Sequence, residues 1–110
     1  MIEAMACGLP IISSDCSSGP REILSSELNI NSKITYPYEG DHGILLPVFD
    51  GNYYSAKDNH SKEEIIWAKA LVKMLINYKL NERYKQESTI RVSDFSINNT
   101  ILLWENLLKV

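Results

Sequence analysis

Three short groups of residues hold the side chains whose types and spacing could do chemistry. Glu3 lies in a run, Glu3-Ala4-Met5-Ala6-Cys7-Gly8-Leu9-Pro10, that reads as the end of a helix. A carboxylate has two oxygens and about four lone-pair sites, enough to hold both hydroxyls of a vicinal diol. Read from the residue alone, however, a lone helical glutamate is ordinarily solvated. Gly19-Pro20-Arg21-Glu22-Ile23 is the second group. Amides at a helix start favour an anion, and Arg21 adds a cation. The same residues also make an ordinary turn, in which Glu22 as a first-turn acid complements the helix dipole. Asp41 and His42 form the third group, an acid beside a base. Adjacent residues of an extended segment point to opposite faces, so loop polarity accounts for them better than a shared site.

Other chemically capable side chains are read structurally. Cys7 and Cys16 have no C-x-x-C spacing and no neighbouring histidine, which suggests neither a zinc site nor a redox pair. His60 belongs to the entry of a helix. Trp67 and Trp104 lie in apolar helical stretches, where core or interface packing comes before a role as sugar platforms. No catalytic residue, metal ligand or cofactor site is expected from these patterns.

The elements that must position these groups follow from punctuation and periodicity. Ile2 to Cys7 predicts the last turns of a helix, since Gly8 can adopt the left-handed cap and Pro10 forbids continuation. Leu9 to Ser13 and Gly43 to Pro47 are short apolar runs suited to buried parallel strands. Pro20 fits a first helical position and starts a short helix to about Ser26. Between Glu27 and His42 only Lys33 to Tyr36 could pair as a strand; the rest reads as loop. Gly51 to His60 also reads as a solvent-facing loop. Ser61 with Glu64 forms a capping box ahead of Ile65, Ala68, Leu71, Val72 and Leu75, predicting a helix over Lys62 to Tyr78. A further turn or two of helix is expected over Asn81 to Ser88. Ser96 caps a last helix whose Ile97, Ile101, Trp104 and Leu108 form a stripe, widened by Leu103 and Leu107, that must be buried against something.

The 110 residues, 45% of them hydrophobic, suffice for a single domain with one core. A net charge of -3 with scattered Lys and Arg disfavours nucleic acid or an anionic surface as partner. No secretory signal pattern and no run of about 20 apolar residues is present, so a cytoplasmic location is expected.

Through Glu3 to Asp15 and Gly19 to Ile23 the chain resembles the carboxyl-terminal, nucleotide-sugar-binding part of GT-B glycosyltransferases of the group 1, or family 4, type. The resemblance is strongest over Glu3 to Ile23, fair over Gly43 to Asp50, where the family has a G-I-L-x-P run, and pattern-level for the last helices. In that family the matching glutamate is the second of two separated by seven residues, which places the start of this chain inside the motif. The resemblance implies a partial Rossmann-like α/β fold over residues 1–110, with a short parallel sheet flanked by helices and a long C-terminal helix. It implies that Glu3 binds the donor ribose, that Gly19, Pro20 and Glu22 belong to a donor loop, and that Ala4, Met5, Ala6, Gly8 and Pro10 serve packing.

The implied reaction is retaining transfer of a sugar from a nucleotide-diphosphate sugar to a glycan or lipid-linked acceptor, without a metal. Electrostatic preorganisation by Arg, Lys and amides would stabilise the leaving pyrophosphate, and those groups precede Glu3 in the family. The chain is therefore expected to be inactive alone, to sit in the bacterial cytoplasm or at the inner face of the membrane, and to form a homodimer through an exposed sheet edge or the last helix. The alternative reading is a standalone non-catalytic α/β module that binds a nucleotide or a protein; an unrelated flavodoxin-like domain accounts for the first 23 residues least well.

Overall fold

The computed structural model describes residues 1–109. In chain order it contains α1 (Ile2–Ala6), β1 (Ile12–Ser14), α2 (Pro20–Leu24), β2 (Tyr38–Glu39), β3 (Ile44–Leu46), α3 (Lys62–Ile76), α4 (Tyr78–Val92), a 3-10 turn (Ser93–Phe95) and α5 (Ile97–Leu108). The α/β class and the flanking helices are as expected, and α4, the 3-10 turn and α5 make one long bent helical run at the C-terminal end. The sheet is mixed. Its order is β1-β3-β2, with β1 parallel and β2 antiparallel to β3.

β3 is the centre of the molecule because its three apolar residues are buried on both faces. Side chains alternate along a strand, so Ile44 and Leu46 point to one side and Leu45 to the other. On the first side they meet Ala70 and Met74 of α3 and Leu80 and Tyr84 of α4, with Ile12, Ile66 and Trp67 packed against the cluster. On the second side Leu45 meets Met5 of α1 and Leu24 of α2, with Ile11, Ile23, Leu28, Ile34, Tyr38 and Val92 around them. Two separate cores thus share one strand. Each fully buried aliphatic side chain contributes about 1.5–3 kcal/mol.

Several boundaries differ from the sequence expectation. β1 begins at Ile12 and not at Leu9: Pro10 has no amide hydrogen to donate, and the Leu9 carbonyl accepts the Ser88 hydroxyl at 2.6 Å. Lys33 to Tyr36 does not form a strand; the pairing falls on Tyr38 and Glu39, which lie opposite Leu45 and Ile44. α3 stops at Ile76. Asn77 takes an extended backbone, and its side chain accepts the Leu80 amide at 3.1 Å, so that it caps a new helix.

That helix, α4, is 15 residues long where one or two turns were expected. Its buried residues Leu80, Tyr84 and Ser88 recur every four positions, a stripe hidden by the polar residues between them. α5 is capped as expected, the Ser96 hydroxyl accepting the Asn99 amide at 3.2 Å. Its apolar stripe is not buried. Trp104 remains 59% exposed and Leu107 74%, and the molecule measures 59 × 32 × 23 Å because this helix projects from the body.

Candidate functional site

β1 and β3 run parallel, so their carboxyl ends open on the same side of the sheet, where ligands of parallel α/β sheets bind. The segment leaving β1 is fastened there. The Asp15 amide donates to the Leu46 carbonyl at 2.8 Å, extending the ladder by one residue. The Asp15 carboxylate, buried to 3% side-chain exposure, accepts from Nε and Nη2 of Arg21, with Nε at 3.1 Å, and from the Tyr36 hydroxyl at 2.7 Å. Arg21 uses Nη1 on the carbonyls of Asn29, Ile30 and Ser32, the last at 2.7 Å.

This network sets the charge states. The hydrogen bonds from Arg21, ahead of the opposing cost of burial, hold the Asp15 carboxyl below its ordinary value. Asp15 in turn raises Arg21 above its own, and burial followed by the Asp15 hydrogen bond pushes Tyr36 up. The guanidinium has a protein acceptor at each nitrogen. It is a clasp between the end of β1 and the segment 29–36, and not a cation held out to a phosphate.

Gly19, Pro20 and Glu22, expected from the resemblance to form a donor loop, lie between the two ends of this clasp. Gly19 takes φ of 99°, a left-handed conformation that a side chain resists, and so turns the chain into α2. Its amide donates to Glu22 Oε2 at 2.7 Å, which occupies the carboxylate named for the loop. Pro20 is buried as the first residue of α2. The far end of α2 is closed by α4: Arg91 donates from Nε to the Ile23 carbonyl at 3.0 Å and from Nη2 to the Glu22 carbonyl at 2.7 Å.

Glu3 stands on α1, which is packed against α4 through the face that buries Met5. Its side chain is 94% exposed, with the terminal ammonium 3.4 Å from Oε2. The backbone amide of its own helical turn, and next the ammonium, hold its carboxyl below the ordinary range. The carboxylate is ionised and open to a ligand. Among the described residues no hydrogen bond or ion pair joins Glu3 to Gly19, Pro20 or Glu22.

Of the remaining sequence candidates, His42 pairs with Glu87 of α4 at 3.2 Å and not with Asp41. His60 meets Glu64 at 3.3 Å at the helix entry. Both cysteines are free thiols at the surface. Trp67 is half-buried and donates Nε1 to the Pro47 carbonyl at 2.9 Å. Among the described residues, no cluster of three or more His, Cys, Asp or Glu is placed to hold a metal ion, and no helix is long and apolar enough to cross a membrane.

The Asp15–Arg21–Tyr36 clasp was not anticipated. Its partners lie six and 21 residues apart, and only the G-P-R-E-I run hinted that this segment is structured.

The chain is 40% identical over 112 residues to an uncharacterized glycosyltransferase of Methanocaldococcus jannaschii. That similarity covers 99% of this chain and 27% of the relative, so the chain spans about a quarter of the length of the curated relative it matches. No protein-family model and no solved structure matches it. The chain is thus similar, from end to end, to part of a glycosyltransferase.

Proposed function

We propose that this chain is the closing part of the nucleotide-sugar-binding half of a GT-B glycosyltransferase. The observation that carries the reading is the 40% identity, over 99% of this chain, to one stretch of an uncharacterized glycosyltransferase, in a chain that carries the Glu3-Ala4-Met5-Ala6-Cys7-Gly8-Leu9-Pro10 run. The exposed, ionised Glu3 supports a ribose-binding role: two carboxylate oxygens can accept from both hydroxyls of the donor ribose. Gly19, Pro20 and Glu22 form the turn after β1, and its contribution to the donor is through backbone shape, since Glu22 is engaged with Gly19.

The reaction of the whole enzyme, on this reading, is retaining transfer of a sugar from a nucleotide-diphosphate sugar to a glycan or lipid-linked acceptor in the cytoplasm or at the inner membrane face. Neither a metal nor another cofactor takes part. The 110 residues alone hold the ribose contact and lack the groups that stabilise the departing pyrophosphate, so they bind donor weakly and do not turn it over. A homodimer through the free edge of β1 or through α5 accompanies this state.

Two measurements test the reading. Titration of the chain with nucleoside diphosphate sugars, followed by amide NMR shifts, is expected to perturb the α1 turn around Glu3, and Glu3→Gln to abolish the perturbation. If no nucleotide moves those amides, the donor-binding reading fails. Assay of the same chain with a panel of nucleotide sugars and a lipid-linked acceptor is expected to show no transfer; chain-dependent product would overturn the proposed inactivity.

A further inference from the structure

The loop leaving β3 encloses a concavity that the donor-binding reading does not use. It has a volume of about 270 Å³, and its lining includes Phe49, Asp50, Tyr53, Tyr54, Glu63 and Glu64. This is near the lower end of the range of small-molecule sites, roughly 300 Å³. It lies beyond the carboxyl end of β3, since Phe49 follows Leu46 by three residues.

One wall is a fixed aromatic platform. Phe49 stacks on Trp67 with ring centroids 5.7 Å apart and planes 22° from parallel. Trp67 cannot swing away, because its Nε1 is tied to the Pro47 carbonyl and its ring packs on the core. Phe49 and Tyr54 nevertheless remain about half exposed. Aromatic rings thus face solvent in a largely polar loop.

Polar groups around the cavity suit hydroxyls. Asp50 Oδ1 accepts the Asn52 amide at 2.9 Å, and the Tyr54 hydroxyl donates to Oδ2. These contacts, the Tyr54 hydroxyl first, hold the Asp50 carboxyl below its ordinary value. An ionised carboxylate retains lone pairs beyond those two bonds. Glu63 and Glu64 add two further carboxylates to the wall, Glu64 also accepting the Ser61 amide at 2.9 Å.

We infer that this cavity is a subsite for a pyranose ring of an uncharged glycan. The apolar C–H face of such a ring packs on an aromatic plane, while its hydroxyls donate to carboxylates. The three acidic groups disfavour a uronate or a phosphate by like-charge repulsion. The inference stands apart from donor binding: it concerns a different loop, and a chain that ignores nucleotides can still bind sugar here.

The test is an amide NMR titration of the 110-residue chain with methyl glucopyranoside, methyl galactopyranoside, N-acetylglucosamine and glucuronate. At least one of the three uncharged sugars is expected to shift amides within residues 49–64, and glucuronate to bind more weakly. Phe49→Ala and Tyr54→Ala should each weaken that binding about ten-fold, the scale of one lost stacking contact. Both rings are half exposed, and an unchanged amide spectrum elsewhere would verify that each variant folds. No shift in this loop with any uncharged sugar, equal binding of glucuronate, or unaltered affinity in both variants would each overturn the proposal. Nucleotide-dependent shifts around Glu3 report on the donor reading separately.

Discussion

The Arg21 guanidinium grips the Asp15 carboxylate through Nε and Nη2, and both groups are almost wholly out of solvent. Among the described residues neither charge has another ion-pair partner, while Nη1 organises the carbonyls of Asn29, Ile30 and Ser32. Removing one partner leaves the other buried and uncompensated, which costs about 3–5 kcal/mol.

Arg21→Ala is therefore expected to destabilise the chain by about that amount in urea unfolding. Arg21→Lys should recover little of it, because an ammonium cannot reproduce the planar two-point contact. An Arg21→Lys variant as stable as the parent would show the clasp to be unimportant.

The same pair predicts an acid limit to stability. Asp15 titrates lower in the folded chain than its unfolded value of about 3.9. Below that value the unfolded chain binds a proton that the folded chain resists, so the contribution is present above about pH 4 and is lost as pH falls through the folded value. Asp15→Asn should remove much of this acid sensitivity, as measured by urea midpoints at a series of pH values.

Tyr84 predicts a limit at the other end. Its hydroxyl, fully buried, donates to the Gly40 carbonyl at 2.8 Å and accepts from Arg83 Nη2 at 2.9 Å. Burial, the main cause, pushes its pKa up to about 12. The unfolded value is about 10, so the neutral form's advantage is complete below pH 10 and disappears as pH rises toward 12. Tyr84→Phe leaves the Gly40 carbonyl without this donor, at a cost of about 1–3 kcal/mol. A difference spectrum of the tyrosinate on alkaline titration should lose its latest component in that variant.

Gly40 and Ser25 form a contact that two substitutions should move in opposite directions. A Cβ on Gly40 would stand 1.9 Å from Ser25 Oγ and 2.6 Å from the Leu24 carbonyl oxygen. Because one obstacle is backbone, Gly40→Ala is expected to cost about 1–3 kcal/mol or more. Ser25 Oγ is buried with no hydrogen-bond partner, so Ser25→Ala should raise stability by about 1 kcal/mol. Thermal midpoints of the two variants moving the same way would contradict this arrangement.

Self-association is the last expectation. Leu103, Trp104 and Leu107 of α5 are more than half exposed, and β1 ends the sheet with one unpaired edge. The Ile11 carbonyl and Asp15 amide point toward β3, so by alternation the polar backbone groups of Ile12 and Ser14 face the free side. Sedimentation should show a concentration-dependent dimer, and Leu103→Glu with Leu107→Glu should shift it toward monomer if α5 forms the contact. A monomer at high concentration would exclude both routes.

The elements legible in the sequence are those whose signals are local. The Ser61–Glu64 capping box, the Ser96 cap, the Gly8-Leu9-Pro10 break and the apolar run before Pro47 each act within a few residues, and each appears where expected. The Gly19–Glu22 bond is of the same kind, three residues in span. α4 was under-read because Leu80, Tyr84, Ser88 and Val92 signal a helix only when the core they fill is known.

By itself the sequence determined the α/β class, the caps and the likeness of Glu3 to Ile23 to a donor-binding motif. The tertiary structure alone decided that Arg21 is spent on Asp15 and backbone carbonyls, that Tyr84 closes on Gly40, and that the stripe on α5 stays uncovered. The physical reason is range. Turns and caps satisfy neighbouring backbone groups, whereas the burial of a charge or an apolar face depends on chain brought in from dozens of positions away.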